Sequence, residues 1–265
     1  MIGIVHPGAM GAALGADLVR SGHEVAWASN GRGAESARRA HAAGFVDVRT
    51  LDELAGRCDF IFSVCPPGAA VEVAGQLAGF GGTYIDANAI SPRTGEQVAG
   101  LIQGGGGRFV DGGIIGTPPS ERGSTRLYLS GPDADRVRSL FTDGLFSAIV
   151  LDDTFSSASK LKMVYAAWTK ISSALLLATR ETAVNDGVWD ALASEWALSQ
   201  PQLSARLAAA DASATQKGWR WIAEMREIAT TFEDAGTPRG FGDAAAEVFD
   251  AYPVAKTSPR RANDR

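Results

Sequence analysis

Residues 1–30 carry the pattern that most constrains the fold of this chain. Residues 2–5 are of strand type, and the turn His6-Pro7-Gly8-Ala9-Met10-Gly11 leads from them into residues 12–20, where apolar side chains recur at helical spacing. Gly22 ends that helix, and residues 24–28 form a second predicted strand, which completes a β-α-β unit. A turn that opens a helix presents backbone N–H groups and the positive end of the helix dipole to a phosphate. The pattern therefore predicts a nucleotide-binding site.

The turn matches the dinucleotide fingerprint G-x-G-x-x-G at two of its three glycines. Gly8 falls where the chain must approach the pyrophosphate, and Gly11 falls where helix and strand pack closely, with Ala9 and Met10 between them. His6 replaces the first glycine of the motif. The alternative interpretation is an ordinary strand-to-helix turn of an α/β protein that binds no nucleotide.

The end of the second strand indicates which dinucleotide is preferred. The acidic residue that binds the ribose hydroxyl of NAD is absent there, and the chain instead has Ser29, Asn30 and Arg32. A carboxylate would repel a 2′-phosphate, whereas these side chains donate hydrogen bonds and add positive charge. We therefore expect NADP as the cofactor, with NAD as the alternative. Arg38 and Arg39, further along, are better explained as solvated residues of the next helix.

Composition excludes several classes of partner. A chain of 265 residues that is 45% hydrophobic can bury a full core in one large domain or two modest ones. Its net charge of −5 argues against a nucleic-acid partner. No segment approaches the roughly 18 apolar residues of a membrane span, and the strand at the N-terminus leaves no room for a signal peptide. We therefore expect a cytoplasmic protein that binds neither nucleic acid nor membranes.

The cysteines and histidines do not form a recognisable disulfide or metal-site pattern. Cys58 and Cys65 flank one predicted strand, where residues seven apart lie roughly 23 Å from each other, far beyond disulfide distance. The three histidines stand apart from one another in the sequence. We therefore expect no metal site, although carboxylates brought together by the fold are not covered by this reasoning.

Secondary-structure periodicity changes once along the chain. Strands and helices alternate up to about residue 152, and from there to residue 254 the apolar spacing is helical almost throughout. The predicted fold class is α/β, with a Rossmann-type doubly wound sheet over residues 1–152 and an all-α domain over residues 153–255. Residues 256–265 contain almost nothing apolar, and we expect them to be disordered.

Two further predicted strands end in polar or proline-rich segments. Residues 60–64 lead into Cys65-Pro66-Pro67, and residues 82–85 lead into Asp86-Ala87-Asn88. Ligands of open α/β sheets bind at the carboxyl ends of such strands. We therefore expect Cys65, Pro66, Pro67 and Asn88 to contribute to the cofactor site.

A long helix predicted from about residue 156 to residue 181 carries a lysine among apolar neighbours. Lys162, Tyr165 and Thr169 share one face, and an apolar face contains Leu161, Val164, Trp168, Ile171 and Leu175. If Lys162 faces a cleft lined by these neighbours, desolvation would lower its pKa and allow proton exchange near neutral pH. The alternative is a solvated lysine on an amphipathic helix.

Taken together, these segments resemble the β-hydroxyacid dehydrogenase family, which includes 6-phosphogluconate dehydrogenase and hydroxyisobutyrate dehydrogenase and has imine reductases among its relatives. The resemblance covers nearly the whole chain, and it is closest to bacterial members of unassigned activity with a shorter helical domain, on the strings His6-Pro7-Gly8 and Trp221-Ile222-Ala223-Glu224-Met225. It implies that Lys162 takes the substrate hydroxyl proton as hydride leaves for nicotinamide C4, or donates a proton in the reverse direction.

The sequence departs from the family pattern at the expected substrate site. Ala166 stands where the family has asparagine, and Tyr165 before it becomes a candidate proton donor. The family's Ser-Gly-Gly falls on Ile115-Gly116-Thr117, so the serine hydroxyl is missing and a standard 3-hydroxy acid is less favoured. We expect the substrate to be held by Gly113, Gly116, Thr117 and Thr169. Arg226 falls where relatives have a cofactor-facing lysine, and a solvated arginine is an equal alternative.

Three functional hypotheses remain at this point. The first is an NADP-dependent oxidoreductase acting on a small hydroxy acid or ketone, and the second is an imine reductase on the same scaffold. The third, suggested by His6, Ala166 and Ile115, is a nucleotide-binding module without catalysis, against which the presence of Lys162 argues.

The small size of the helical domain also predicts self-association. Its aromatic residues, Trp189, Trp196, Trp219, Trp221 and Phe232, are expected to lie mostly in its core. A core built by only about 110 helical residues is small, so we expect a homodimer that forms through this domain.

Overall fold

The structure, a computed structural model, describes residues 1–252. The chain divides into two compact units, of which the first is Met1–Tyr165 and the second begins at Ala166. The tail for which disorder is predicted, residues 256–265, lies outside the described residues. Among the helices described, none is both long enough and apolar enough to span a membrane.

The first unit is built on one eight-stranded sheet with the order β3-β2-β1-β4-β5-β6-β7-β8. Every neighbouring pair is parallel except β6 and β7, which are antiparallel. The strands are β1 (Ile2–Ile4), β2 (Val25–Trp27), β3 (Val46–Asp47), β4 (Phe60–Ser63), β5 (Thr83–Asp86), β6 (Arg108–Ile115), β7 (Thr125–Ser130) and β8 (Phe146–Asp152). The predicted Rossmann-type sheet is confirmed.

Helices cover both faces of this sheet. They are α1 (Ala9–Arg20), α2 (Ala34–Ala42), α3 (Leu51–Arg57), α4 (Ala70–Gln76), α5 (Pro92–Gly104) and α6 (Ala134–Arg138). Successive strand residues enter opposite apolar clusters: Phe60 and Phe62 belong to one, and Ile61 belongs to the other. This alternation buries both faces of the strands, as expected for a parallel sheet between helices.

The strand order reverses direction beside β1. The chain leaves β1 for β2 and β3 on one side and then returns to place β4 on the other side. A reversal of this kind opens a crevice at the carboxyl ends of the strands, and ligands of open α/β sheets bind in it. The turn that contains Gly8 and Gly11 follows β1 directly and therefore lies at this crevice.

The second unit is helical throughout its described part. Helix α7 (Ser157–Asn185) begins in the first unit and continues into the second, where it is followed by α8 (Trp189–Ser199), α9 (Leu203–Asp234) and α10 (Gly240–Asp250). The last strand ends at Asp152, where the sequence predicts the change to helical structure. The first compact unit nevertheless extends to Tyr165, because the start of α7 is bonded to the sheet.

The prediction that most aromatic residues of the helical part lie in its core is wrong for the single chain. Trp219 is exposed, and the other aromatic residues named for this core are half-buried: Trp189, Trp196, Trp221 and Phe232. The interior of this unit is formed mainly by smaller side chains of α9 and α10 with Phe249, and it leaves the larger rings only partly covered. Trp189 and Trp196 cover part of each other through an edge-to-face contact.

The apolar face of α7 is also largely uncovered. Trp168 is 71% exposed and Leu175 is 66% exposed, and Val164 is exposed as well. The buried stripe of the helix is instead formed by Met163, Ala166, Ala167, Ala174 and Leu177. A long helix therefore presents large apolar side chains to solvent in the isolated chain.

Candidate functional site

The fingerprint turn provides an open approach to the first turn of α1. Gly8 is the N-cap residue, no side chain caps this end of the helix, and the first turn has no acidic residue. A Cβ atom on Gly8 would meet no atom within 4 Å, whereas one on Gly11 would overlap the carbonyl oxygen of His6. Space at Gly8 and close packing at Gly11 are what a bound pyrophosphate requires, so these residues fit a dinucleotide.

His6, which replaces the first glycine of the fingerprint, binds Arg32 from the loop after β2. Nε2 of His6 lies 2.5 Å from Nη1 of Arg32. Burial and the charge of Arg32 lower the pKa of His6 to about 4, so its imidazole is neutral and Nε2 accepts the hydrogen bond. Nδ1 of His6 and Nε of Arg32 are buried without a partner among the described residues. The pair brings a guanidinium to the fingerprint turn, which the sequence did not reveal.

A cavity of about 520 Å³ lies beside the ends of β2 and β3. Asn30 and Arg32 line it, and so does Arg49, whose position no local sequence pattern indicates. Ser29, also predicted for this site, is not part of the lining, and its carbonyl oxygen accepts the backbone N–H of Arg32. The end of β2 is where a Rossmann sheet binds the adenosine ribose, so the cavity lies where that part of a dinucleotide would bind.

Arg38 and Arg39 do not line this cavity. Both form ion pairs with Glu35 on the surface of α2. Pairs of this kind on a helix contribute only a few tenths of a kcal/mol. The interpretation of these two arginines as surface residues of the helix is confirmed.

The ends of β4 and β5 are joined through the buried side chain of Asn88. Its amide oxygen accepts the N–H of Cys65 at 2.6 Å, and its amide nitrogen donates to Ser63 Oγ at 3.1 Å and to Asp86 Oδ2 at 2.9 Å. Asn88 therefore fixes the backbone at Cys65, and its direct contact with a cofactor remains a prediction. Burial raises the pKa of the Cys65 thiol to about 12, which keeps it protonated at neutral pH.

The two prolines follow at the same edge of the sheet. Pro66 precedes a single 3₁₀ turn, Pro67–Ala69, which leads into α4. Because β4 pairs with β1 in parallel, Cys65, Pro66 and Pro67 lie at the same edge as the fingerprint turn. The structure thus brings together the segments predicted to hold the dinucleotide.

The start of α7 is anchored to β6 by a buried carboxylate. Asp111 accepts hydrogen bonds from Ser159 N at 2.8 Å and from Ser130 Oγ at 3.0 Å, and it also accepts one from Ser159 Oγ. Ser130 Oγ accepts the N–H of Ala158 at 3.0 Å. Burial raises the pKa of Asp111, and the hydrogen bonds from Ser159 and Ser130 act against that rise. Two consecutive N–H groups of the lysine-bearing helix are thereby fixed to the sheet.

Lys162 lies directly against β6 at Gly113. A Cβ atom on Gly113 would come within 2.8 Å of the Ala158 carbonyl oxygen and 3.0 Å of Lys162 Cβ. In the strand pairing, Asp86 at the end of β5 lies opposite Asp111, so Gly113 lies two residues beyond the end of β5. The half-buried Lys162 is therefore held at the carboxyl edge of the sheet.

The other predicted substrate residues are distributed over both units. Tyr165 is 45% exposed and lies one turn after Lys162. Gly116 has φ of +131° and, with Thr117, forms an exposed turn whose carbonyl oxygen at Thr117 accepts a hydrogen bond from Thr125. Thr169 lies in the second unit, where its hydroxyl donates to the Ala166 carbonyl oxygen at 3.2 Å. The structure brings Lys162 and Gly113 into contact, and the substrate roles of the others stay predictions.

Two further positions bear on the chemistry. Ile115, which occupies the place of the family serine, is buried at 3% exposure and offers no hydroxyl. Arg226 is exposed on α9. Within residues 1–252, no three His, Cys, Asp or Glu side chains are grouped so that they could hold a metal ion.

Two family models match parts of the chain. Residues 1–143 match the family model described as the NAD binding domain of 6-phosphogluconate dehydrogenase. Residues 183–252 match DUF1932, a domain of unknown function. A comparison with curated proteins gives no match.

Three solved structures illustrate the likeness over the whole chain. The conserved protein MTH1747, of unknown function and described as similar to 3-hydroxyacid dehydrogenases, is 25% identical, with a TM-score of 0.71 over 95% of this chain and 96% of its own. 3-Hydroxyisobutyrate dehydrogenase from Salmonella typhimurium is 16% identical, with a TM-score of 0.70 over 94% of this chain and 93% of its own. An imine reductase from Streptomyces aurantiacus is 18% identical, with a TM-score of 0.55 over 94% of this chain and 93% of its own.

The fold, the fingerprint turn and the family model all indicate a dinucleotide-binding domain. The family model covers more than half of the chain, from Met1 to the segment before β8. The resemblance inferred from the sequence is confirmed. The protein belongs to the family that shares the NAD-binding domain of 6-phosphogluconate dehydrogenase.

Proposed function

We propose that this protein is an NADP-preferring oxidoreductase that transfers hydride between nicotinamide and a small hydroxy acid or ketone. The observation that carries the proposal is the position of Lys162 against Gly113 at the carboxyl edge of the sheet. Because the same edge holds the fingerprint turn, the lysine-bearing start of α7 and the turn that would hold a dinucleotide lie at one edge of the sheet. That arrangement is what proton transfer coupled to hydride transfer needs.

The residues have distinct roles in this proposal. The first turn of α1, from Ala9 to Gly11, would hold the pyrophosphate, and Arg32 with Asn30 would hold the 2′-phosphate. A bound nicotinamide would supply or accept the hydride. Lys162 removes the proton of the substrate hydroxyl during oxidation and returns one to the carbonyl oxygen during reduction. Asp111 keeps α7 against β6, so that the amine stays in position.

The same residues support the preference for NADP. Among the residues that line the cavity at the end of β2, Arg32 is paired with the neutral His6, so its positive charge is available to a phosphate. Ser29 and Asn30 occupy the positions where NAD-binding sheets have an acidic residue. A 2′-phosphate therefore meets donors and a cation at this point of the site.

A second candidate function is reduction of a cyclic imine. The observation that favours it is Ile115, since the buried isoleucine removes the hydroxyl that would bind a substrate carboxylate. A C=N substrate needs a proton donor, which Lys162 or Tyr165 supplies, and it needs no carboxylate anchor. Likeness in fold to an imine reductase is consistent with this candidate.

Consumption of NADPH by the purified protein tests the proposal. We expect oxidation of NADPH with a panel of small ketones and keto acids, at rates above those with NADH. Turnover confined to cyclic imines would favour the second candidate. Binding of NADPH without turnover on either panel would contradict both candidates and favour a module without catalysis.

We also propose that the protein forms a homodimer through its helical part. The exposed Trp168 and Leu175 lie on one long helix, and a second copy would remove their apolar area from water. Light scattering is expected to give the mass of two chains, and Trp168→Glu is expected to shift the population towards one chain. A wild-type mass equal to a single chain would contradict the proposal.

A further inference from the structure

Arg49 shares the cavity at the ends of β2 and β3 with Arg32. Arg32 comes from the loop after β2, whereas Arg49 comes from the loop between β3 and α3. Two arginines from separate loops therefore line one cavity of about 520 Å³, a volume within the usual range of small-molecule sites.

The backbone at Arg49 has a conformation that is unfavourable for arginine. Its φ is +66°, in the left-handed region that glycine adopts most easily. Both backbone polar groups are occupied: its N–H donates to Asp47 Oδ1 at 2.8 Å, and its carbonyl oxygen accepts the N–H of Asn30 at 2.8 Å. These bonds tie the loop after β3 to the loop after β2. A strained residue fixed on both sides at a cavity is a candidate for a role in binding.

The lining of this cavity carries more positive than negative charge. Among residues 1–252, neither Arg49 nor Arg32 forms an ion pair with a carboxylate, and the partner of Arg32 is the neutral His6. Asp52 is the single acidic residue of the lining, so the two arginines outnumber it. By contrast, Arg38 and Arg39 on the nearby α2 both pair with Glu35.

We propose that Arg49 is a second cation for the 2′-phosphate of NADP and acts with Arg32, an inference that rests on the proposed NADP-dependent function. A phosphate dianion carries more charge than one guanidinium neutralises, and the forked donors of arginine suit its oxygens. The second arginine thus selects the phosphorylated nucleotide over NAD. Arg49 is a specificity-determining residue in this scheme and takes no part in the chemical step.

The test compares the affinities of the wild type and an Arg49→Gly variant for NADPH and NADH by calorimetric titration of the full chain. Glycine removes the guanidinium and accepts the positive φ, so the loop conformation is retained. We expect NADPH to bind roughly tenfold more weakly to the variant, while NADH affinity stays within about twofold. Arg38→Ala, which removes an arginine outside the lining, is the control, and we expect it to leave both affinities unchanged.

Three results would overturn the inference. Equal losses for NADPH and NADH would show that Arg49 acts only on loop structure. Unchanged NADPH affinity in Arg49→Gly, with tight NADPH binding by the wild type, would refute the role of Arg49 and leave the proposed function standing. A wild-type protein that binds neither nucleotide would overturn the proposed function together with this inference.

Discussion

Replacing Lys162 with alanine is expected to lower kcat by on the order of 10²-fold or more, because the site loses the group that exchanges the substrate proton. The affinity for NADPH is expected to stay unchanged, since the fingerprint turn and the loop after β2 hold the nucleotide. The measurement combines steady-state NADPH oxidation, on whichever substrate class gives turnover, with NADPH titration of the same preparation.

The neighbouring Lys160 provides a matched control. It is exposed in the first turns of α7, so Lys160→Ala removes the same charge from the same helix without reaching the proposed site. We expect wild-type kcat for this variant. Equal activity of Lys162→Ala and Lys160→Ala would remove Lys162 from the mechanism and direct attention to Tyr165.

Gly113→Ala is expected to produce the second large loss of turnover. The added methyl group would lie 2.8 Å from the Ala158 carbonyl oxygen and 3.0 Å from Lys162 Cβ, so α7 must shift away from β6. A displacement of about 1 Å in a catalytic group can cost roughly 10²-fold in rate. Since the cofactor residues lie elsewhere on the sheet edge, we expect kcat to fall while NADPH affinity changes little.

Gly95→Ala on α5 controls for the general effect of an added methyl group. A Cβ atom there would have ordinary contact with Ser159 Oγ at 4.0 Å, and alanine suits a helix better than glycine. We expect this variant to keep full activity and at least wild-type thermal stability. If Gly113→Ala were as active as Gly95→Ala, close packing of β6 on α7 would have no part in catalysis.

The architecture of the first unit could be predicted because its signals are local. Apolar runs of strand length alternate with helical spacing along this part of the chain, and each of these patterns lies within a short stretch of sequence. The fingerprint turn is also a local signal, since Gly8 and Gly11 lie where a strand leads into a helix. Neighbouring residues in sequence were enough to infer the sheet and its crevice.

The parts of the site that were missed depend on contacts between distant residues. His6 and Arg32 are 26 residues apart, and Asp111 lies 48 residues before Ser159. Arg49 is held against the loop after β2 by the hydrogen bond between its carbonyl oxygen and the N–H of Asn30, and no local sequence pattern signals that contact. The substitution of His6 for glycine was visible in the sequence, but the guanidinium that it binds was not.

In the helical part, the spacing of apolar residues did not predict which side chains are buried. Spacing predicted helical structure for this part of the chain, yet it did not determine which apolar side chains the helices bury. Alanines and Met163 form the covered side of α7, and the larger Trp168 remains outside. A second chain is the covering surface that we propose for this face.

The central claim is that a dinucleotide lies over the carboxyl edge of the sheet with the amine of Lys162 beside its reactive ring. A crystal structure of the NADPH complex tests this most directly. We expect the pyrophosphate against the first turn of α1 and Lys162 Nζ within about 5 Å of nicotinamide C4, close enough to share one substrate molecule. Nucleotide bound away from the fingerprint turn, or a Lys162 amine directed into solvent with the nicotinamide in place, would contradict the account.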